Sequence, residues 1–397
     1  MKNILRFTIP LWLGMIVNTL LGITDFYFLE NISRDYLSVI GIAYIPFTFL
    51  SALTIGVGIE ANRTLAKGDY FDFNKLVKYL ILFTLIIAVL SLNFKTLIFY
   101  FVRENAMYQL ILDYFSILIF LFIPTSIIYL CTGVLRGLGI PEKSVKFNVL
   151  AVIFNFIFDF IFIKLEFVEN PIKGCAYASV LADTIVVLLY IYYLKKNKFW
   201  DKNKNIISIS EFFKKASSYS IEKLCSSSTI TIISSVYIAK LAIGTSSIYY
   251  GIDRFFMPIK MFAFCYFEWI IYSKTKKIEF KKIGIYGFYL LVLLVGGIFF
   301  MNYMYLTVSE LYYLGIYILY CFLFLLEREI VAYEFSKEGG SIINKIIFFK
   351  SILLLLVFHM LYISNFLNLV NIGLAQSILL FLECFILNKI DKKYQCI

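Results

Sequence analysis

Asn18, Gly22 and Asp25 follow one another at spacings of four and three residues, which places them on one face of an α-helix. Asn148, Asn155 and Asp159 recur at spacings of seven and four and share a helical face in the same way. Ser179, Asp183 and Thr184 follow in the next apolar stretch. Carboxylate, amide and hydroxyl oxygens are hard donors, suited to a monovalent cation such as Na⁺ rather than to a soft metal. A carboxylate in a low-dielectric setting beside a second carboxylate can instead carry a proton at neutral pH. Either ion, Na⁺ or H⁺, would make the set a coupling site. The plainer alternative gives each aspartate only a hydrogen bond to a neighbouring helix. Two acids that each share a face with an asparagine favour the common site.

Such residues need apolar helices around them, and the composition supplies these. Of 397 residues, 61% are hydrophobic, 19% aromatic and only 16% charged, with a mean hydropathy of +0.84. Soluble domains carry roughly a quarter charged residues. So little charge cannot cover the surface of two or three soluble domains. The seven cysteines are scattered without a Cys-x-x-Cys pair, and they read as small buried hydrophobes. A soluble enzyme, a disordered tail and a secreted disulfide scaffold are excluded. The expected class is an all-α polytopic membrane protein with no cofactor.

A bilayer core ~30 Å thick needs about 20 apolar residues per helix. Twelve stretches qualify, at 5–29, 36–65, 77–101, 109–135, 145–165, 173–194, 216–239, 246–272, 284–303, 311–335, 343–363 and 366–388. Their apolar runs are continuous rather than alternating, which excludes a β-barrel. The first stretch has no small-residue cleavage site and is expected to be retained. With the N-terminus placed in the cytoplasm, 27 of the 37 Lys and Arg fall on the inner side, six on the outer side, and four within spans. This asymmetry predicts cytoplasmic N- and C-termini in a cell inner (plasma) membrane. The net charge of +11 then belongs to membrane anchoring, so lipid is an expected partner and nucleic acid is not.

The basic stretch 196–215 divides the chain into an N-terminal six-helix lobe, 1–195, and a C-terminal six-helix lobe, 216–397. The halves echo each other weakly: Pro46 in GIAYIPFTF matches Pro258 in GIDRFFMPIKMF, and Gly139 matches Gly340. Repeats with an even number of spans are related by an axis along the membrane normal. Charges within spans mark sites or pathways. In the second lobe these are Glu222 and Lys223, then Asp253, Arg254 and Lys260, then Glu327, Arg328 and Glu329. Opposite charges this close also suit structural ion pairs. Glu222, Asp253, Arg254 and Glu327 are the candidates for lining a substrate cleft. His359, the single histidine, is expected as a hydrogen-bonded core residue.

Several runs resemble the multidrug and toxic compound extrusion (MATE) family of the multidrug/oligosaccharidyl-lipid/polysaccharide flippase superfamily. LRFTIPLWLG…ITDFYFLENIS resembles its first span, and TIGVGIEANRTLAKGDYFDF the Gly-rich end of its second span with the Gly-Asp loop. GVLRGLGIPEKSVKFNVLAVIFNFIFDFIFI is similar to its Leu-Arg-Gly-x-Gly loop and the Asn-x-x-x-Asp helix after it. GCAYASVLAD is similar to the small-residue opening of span six. The likeness is good over about residues 4–195; beyond that it lies in span count and topology.

The resemblance implies a twelve-helix, two-lobe exporter with a central cleft, exchanging Na⁺ or H⁺ for amphiphilic, often cationic, organic compounds; a monomer is expected. It places Asp25, Asn155 and Asp159 on the family's first-lobe cation positions, as Na⁺ ligands in a sodium-coupled member, with Asn18, Ser179 and Asp183 nearby. The family's span-six threonine falls on Ala182, where Ser179 or Thr184 would substitute. Glu222 and Glu327 are nearest to its second-lobe acids. A lipid-linked oligosaccharide flippase of the same superfamily is the alternative, with Lys223, Arg254, Lys260 and Arg328 available for a pyrophosphate head. A membrane-embedded enzyme is not expected, because one His, no HExxH and no large loop leave no catalytic constellation.

Overall fold

The computed structural model describes residues 2–30, 32, 35–94, 105–197, 206–225, 233, 237, 241, 243–278, 282–303, 306–336 and 340–395. Thirteen α-helices run through them: α1 (Lys2–Glu30), α2 (Asp35–Lys67), α3 (Phe73–Ser91), α4 (Asn105–Leu118), α5 (Phe122–Gly137), α6 (Glu142–Asp159) and α7 (Pro171–Lys196). The others are α8 (Ile209–Lys223), α9 (Ile243–Thr275), α10 (Ile283–Tyr303), α11 (Val308–Ser336), α12 (Gly340–Ile363) and α13 (Leu369–Gln395). A 3₁₀ turn at Ile119–Leu121 joins α4 to α5 as one long rod. The protein is an all-α polytopic membrane protein, and nine helical segments among the described residues are long and apolar enough to cross a bilayer. Half of the span expected at 216–239 lies outside the described residues.

The outward faces of these helices are apolar. On α10, Leu291, Val295, Ile298 and Phe299 are each more than half exposed, and Leu82, Val89 and Leu90 stand out similarly on α3. Patches this large do not persist in water, whereas hydrocarbon accepts them. Helix ends use local chemistry. Asp72 accepts from the Lys75 amide at 3.0 Å to start α3, and Asn170 accepts from the Ile172 amide at 3.1 Å, with Pro171 opening α7. The Leu-Arg-Gly-Leu-Gly run ends α5: Gly139 takes φ +78°, and Ile140 donates back to the Leu135 carbonyl at 2.9 Å.

The chain forms two compact units, Leu13–Ser220 and Met1–Trp12 with Ile221–Ile397. In the first, α2 and α5 cross backbone to backbone. A Cβ on Gly133 would sit 2.0 Å from the Gly58 carbonyl oxygen, and one on Gly58 would sit 2.5 Å from that of Tyr129. Small residues let membrane helices approach this closely, where packing rather than hydrophobicity holds them together. Gly56 similarly admits Ala216 and Ser220 of α8, and the Ser220 hydroxyl donates to the Leu53 carbonyl at 2.7 Å. In the second unit, Phe7 stacks on Tyr272 at 5.0 Å, and Trp12 Nε1 donates to the Pro258 carbonyl at 2.5 Å. That carbonyl belongs to a proline inside α9. His359 departs from expectation. It is exposed on the outer face of α12 rather than set in a core, though its Nδ1 does pair with the Tyr237 hydroxyl at 3.2 Å.

Candidate cation site in the first unit

Asn155 and Asp159 lie one turn apart on α6, and both are fully buried. They face Thr24 and Asp25 on α1, where Asp25 is 1% exposed. The Asn155 amide nitrogen is the hub. It donates to Asp25 Oδ1 at 2.8 Å and to Asp159 Oδ2 at 2.8 Å, and it lies 3.0 Å from Thr24 Oγ1. An amide has two hydrogens, so three acceptors oversubscribe it. On the other side Asn155 Oδ1 and Asp159 Oδ1 are buried and accept no hydrogen bond. The site therefore has surplus oxygen and a deficit of positive charge.

Cys175 on α7 completes the group: its sulfur and the carboxylates of Asp25 and Asp159 lie within 4.8 Å of one another, the one such cluster among the described residues. Sequence reading took this cysteine for a small hydrophobe, because nothing at neighbouring positions marks it. Immediately after Asp159 the helix widens into a π-turn, Phe160–Lys164, closed by the Leu165 amide on the Phe160 carbonyl at 3.0 Å. Such bulges occur often at functional positions. Two carboxylates this close in a dry site repel each other. A bound Na⁺ or a shared proton removes that repulsion, and the two orphan oxygens suit a hard cation.

Of the other first-lobe candidates, Asn18 falls among side chains outside the described residues. Ser179 and Asp183 continue along α7 from Cys175, one and two turns on. Ser179 is buried, and Asp183 accepts from the Thr125 hydroxyl of α5 at 3.2 Å. Asp183 thus has a partner of its own, apart from the Asp25–Asp159 pair. Asn148 stitches helices: its amide donates to the Gly14 carbonyl at 3.4 Å, and its oxygen accepts from the Tyr190 hydroxyl at 3.4 Å.

In the second unit the acids and bases pair closely. Arg328 lies 2.8 Å from Glu222, and its Nε donates to Glu327 at 2.5 Å. Lys350 of α12 lies 3.9 Å from Glu327 and bonds Glu383 of α13. All five side chains are buried. Lys223 sits over the Phe264 ring at 3.6 Å. Glu222 and Glu327 are thus brought together, but they face bases rather than open space. Lys350 and Glu383 were not singled out in the sequence, which offers no local spacing to join two residues 33 apart. Asp253 forms a separate contact, accepting from Lys260 and from the Tyr317 hydroxyl, each at 2.5 Å. The Arg254 side chain lies outside the described residues.

Residues 10–161, which hold Asp25, Asn155 and Asp159, match the MatE family model. Over that stretch the chain is similar to the MATE family. Solved structures extend the likeness in fold to the whole length. A MATE crystal structure in a straight conformation superposes with a TM-score of 0.82 at 17% identity, covering 100% of this chain and 97% of that one. An outward-facing multidrug resistance MATE transporter of the MOP superfamily gives 0.73 at 19% identity, with 97% and 93% covered. A MOP superfamily transporter from Pyrococcus furiosus Vc1 (DSM3638), described as having a binding pocket of reversed polarity that suggests a different function, gives 0.76 at 17%, with 98% and 95% covered. No curated protein sequence matches the chain. The chain thus has the fold of solved MATE transporters, and its apolar helices make it a multi-pass membrane protein.

Proposed function

We propose that this protein is a MATE-type transporter, a cation-coupled antiporter that exports amphiphilic, largely cationic organic compounds from the cytoplasm. Its termini would lie on the inner side of the plasma membrane, and it would act as a monomer. The observation that carries the reading is the buried Asp25–Asn155–Asp159 group with two unpartnered oxygens. Na⁺ or H⁺ entering there would neutralise the acid pair and draw α1 towards α6 and α7. Export follows if the ion favours the arrangement that releases substrate and substrate favours the other; a ligand with equal affinity for both would drive nothing. Solved MATE structures similar in fold to this chain include complexes with MaL6 and with Br-NRF.

The flippase alternative needs cations left over for a pyrophosphate head. Arg328 is engaged by Glu222 and Glu327, and Lys260 by Asp253, which favours the antiporter. Proteoliposomes loaded with a cationic dye test the proposal. An imposed Na⁺ or H⁺ gradient should drive dye movement in the wild type and not in Asp159→Asn. Equal movement in the two would reject the coupling role.

A further inference from the structure

The second unit holds a cavity of about 510 Å³ at one end of its helices, with neither acid of the α1–α6 pair in its lining. Its polarity is graded. Lys274 in the last turn of α9, Lys282 just before α10, and Tyr333 and Asn388 towards the ends of α11 and α13 form its polar end. Leu323, Leu326 and Phe381 form the other end. From Leu323 to Tyr333 is ten residues of helix, about 15 Å. The apolar wall continues onto the outside of α13, where Phe381 and Phe385 are 56% and 51% exposed.

Charge in the cavity is unevenly used. Glu329 is saturated: it pairs with Lys282 at 2.5 Å and accepts from the hydroxyls of Tyr286 at 2.5 Å and Tyr266 at 3.3 Å. Lys274 has an aromatic face, the Tyr333 ring at 4.7 Å, and no acid paired with it among the described residues. Lys389, one residue after the lining, lies over the Phe385 ring at 4.6 Å. The end of the cavity is therefore net positive, with one acid against Lys274 and Lys282 in its lining. Basic pockets between membrane helices at the cytoplasmic face hold anionic headgroups.

We propose that this cavity is a binding site for one anionic phospholipid. Its phosphate is held by Lys274 and Lys282 with the Asn388 amide, and an acyl chain lies along Leu326, Phe381 and Phe385. The graded cavity fits a molecule with a charged head and an apolar tail better than it fits a free phosphate, which would leave the apolar wall uncovered. In the orientation proposed above, the head sits in the inner leaflet. The site itself does not depend on the transport reading.

The purified full-length protein in neutral detergent is titrated with phosphatidylglycerol or with phosphatidylcholine of the same chains. Retention is read by native mass spectrometry. Phosphatidylglycerol should be retained as a single strong adduct and phosphatidylcholine should not. Lys274→Ala, which leaves the Lys282–Glu329 pair in place, should weaken retention about fivefold, the loss expected for one lysine near an anionic headgroup. Leu326→Trp, which fills the cavity, should weaken it through a different contact. Glycerol phosphate at millimolar concentration should not displace the lipid. Asp159→Asn should retain lipid as the wild type does, which separates this site from the coupling proposal. Equal retention of the two lipids, undiminished retention in both Lys274→Ala and Leu326→Trp, or displacement by glycerol phosphate would overturn the proposal.

Discussion

Asn155 is a donor where the acids around it need one. Its amide supplies hydrogen bonds to Asp25 and Asp159 across two helices. In Asn155→Leu the side-chain volume is nearly kept, but both carboxylates lose their donor inside a dry site. An unsatisfied charged acceptor costs more than the ~1–3 kcal/mol of a neutral one. Ion-driven efflux should fall at least tenfold while the inserted amount in membranes stays near wild type, as read by quantitative blotting beside the transport assay. Cys175→Ser, which keeps a small polar atom at the position, should leave more than half of the activity. The acid–amide geometry was legible in sequence because Asn155 and Asp159 sit at a helical i, i+4 spacing and Asp25 ends the first apolar stretch. The contribution of Cys175 was not. A cysteine inside an apolar run looks the same whether it packs against leucine or against a carboxylate.

At the scale of elements, the α2–α5 crossing rests on Gly58 and Gly133. Even a methyl group at residue 133 would overlap the Gly58 carbonyl at 2.0 Å, and backbone cannot yield as a flexible side chain does. Gly133→Ala should destabilise the purified protein by about 2 kcal/mol or more, within the range of overpacked cores. Gly287→Ala on α10, where nothing lies within 4 Å, should be neutral or slightly stabilising. Thermal unfolding in detergent separates the two. Helix positions followed from the apolar runs, since hydrocarbon leaves only closed hydrogen-bonded elements. Arg63 is buried against Glu60 at 3.4 Å, and Lys350 is buried against Glu383. Charge counts along a sequence cannot distinguish a lysine at the headgroups from one that an acid on a distant span has drawn inside.

Across the whole molecule, the two units use buried charge differently. The first holds two acids that share an asparagine donor and have no base paired with them among the described residues. The second holds acids paired with Arg328 and Lys350, although buried oxygens of Glu222 and Glu383 lack a hydrogen bond there too. A matched network contributes little net stability but is costly to break from one side. Arg328→Leu should therefore lower stability by about 3–5 kcal/mol. Lys350→Met combined with Glu383→Gln should cost less than the sum of the two single changes, and a double-mutant cycle on unfolding midpoints reads that coupling. The same contrast supports the proposal that ion coupling belongs to the first unit and that the second network has a mainly structural part.

That assignment is tested most directly by dye transport in proteoliposomes under imposed gradients, comparing wild type with Asp25→Asn, Asp159→Asn and Glu327→Gln at matched insertion. Either a Na⁺ or an H⁺ gradient should drive the wild type. Both aspartate variants should be at background, with Glu327→Gln keeping gradient-dependent transport in the fraction of protein that remains folded. Gradient-driven transport persisting in Asp25→Asn and Asp159→Asn while it vanishes in folded Glu327→Gln would contradict the account.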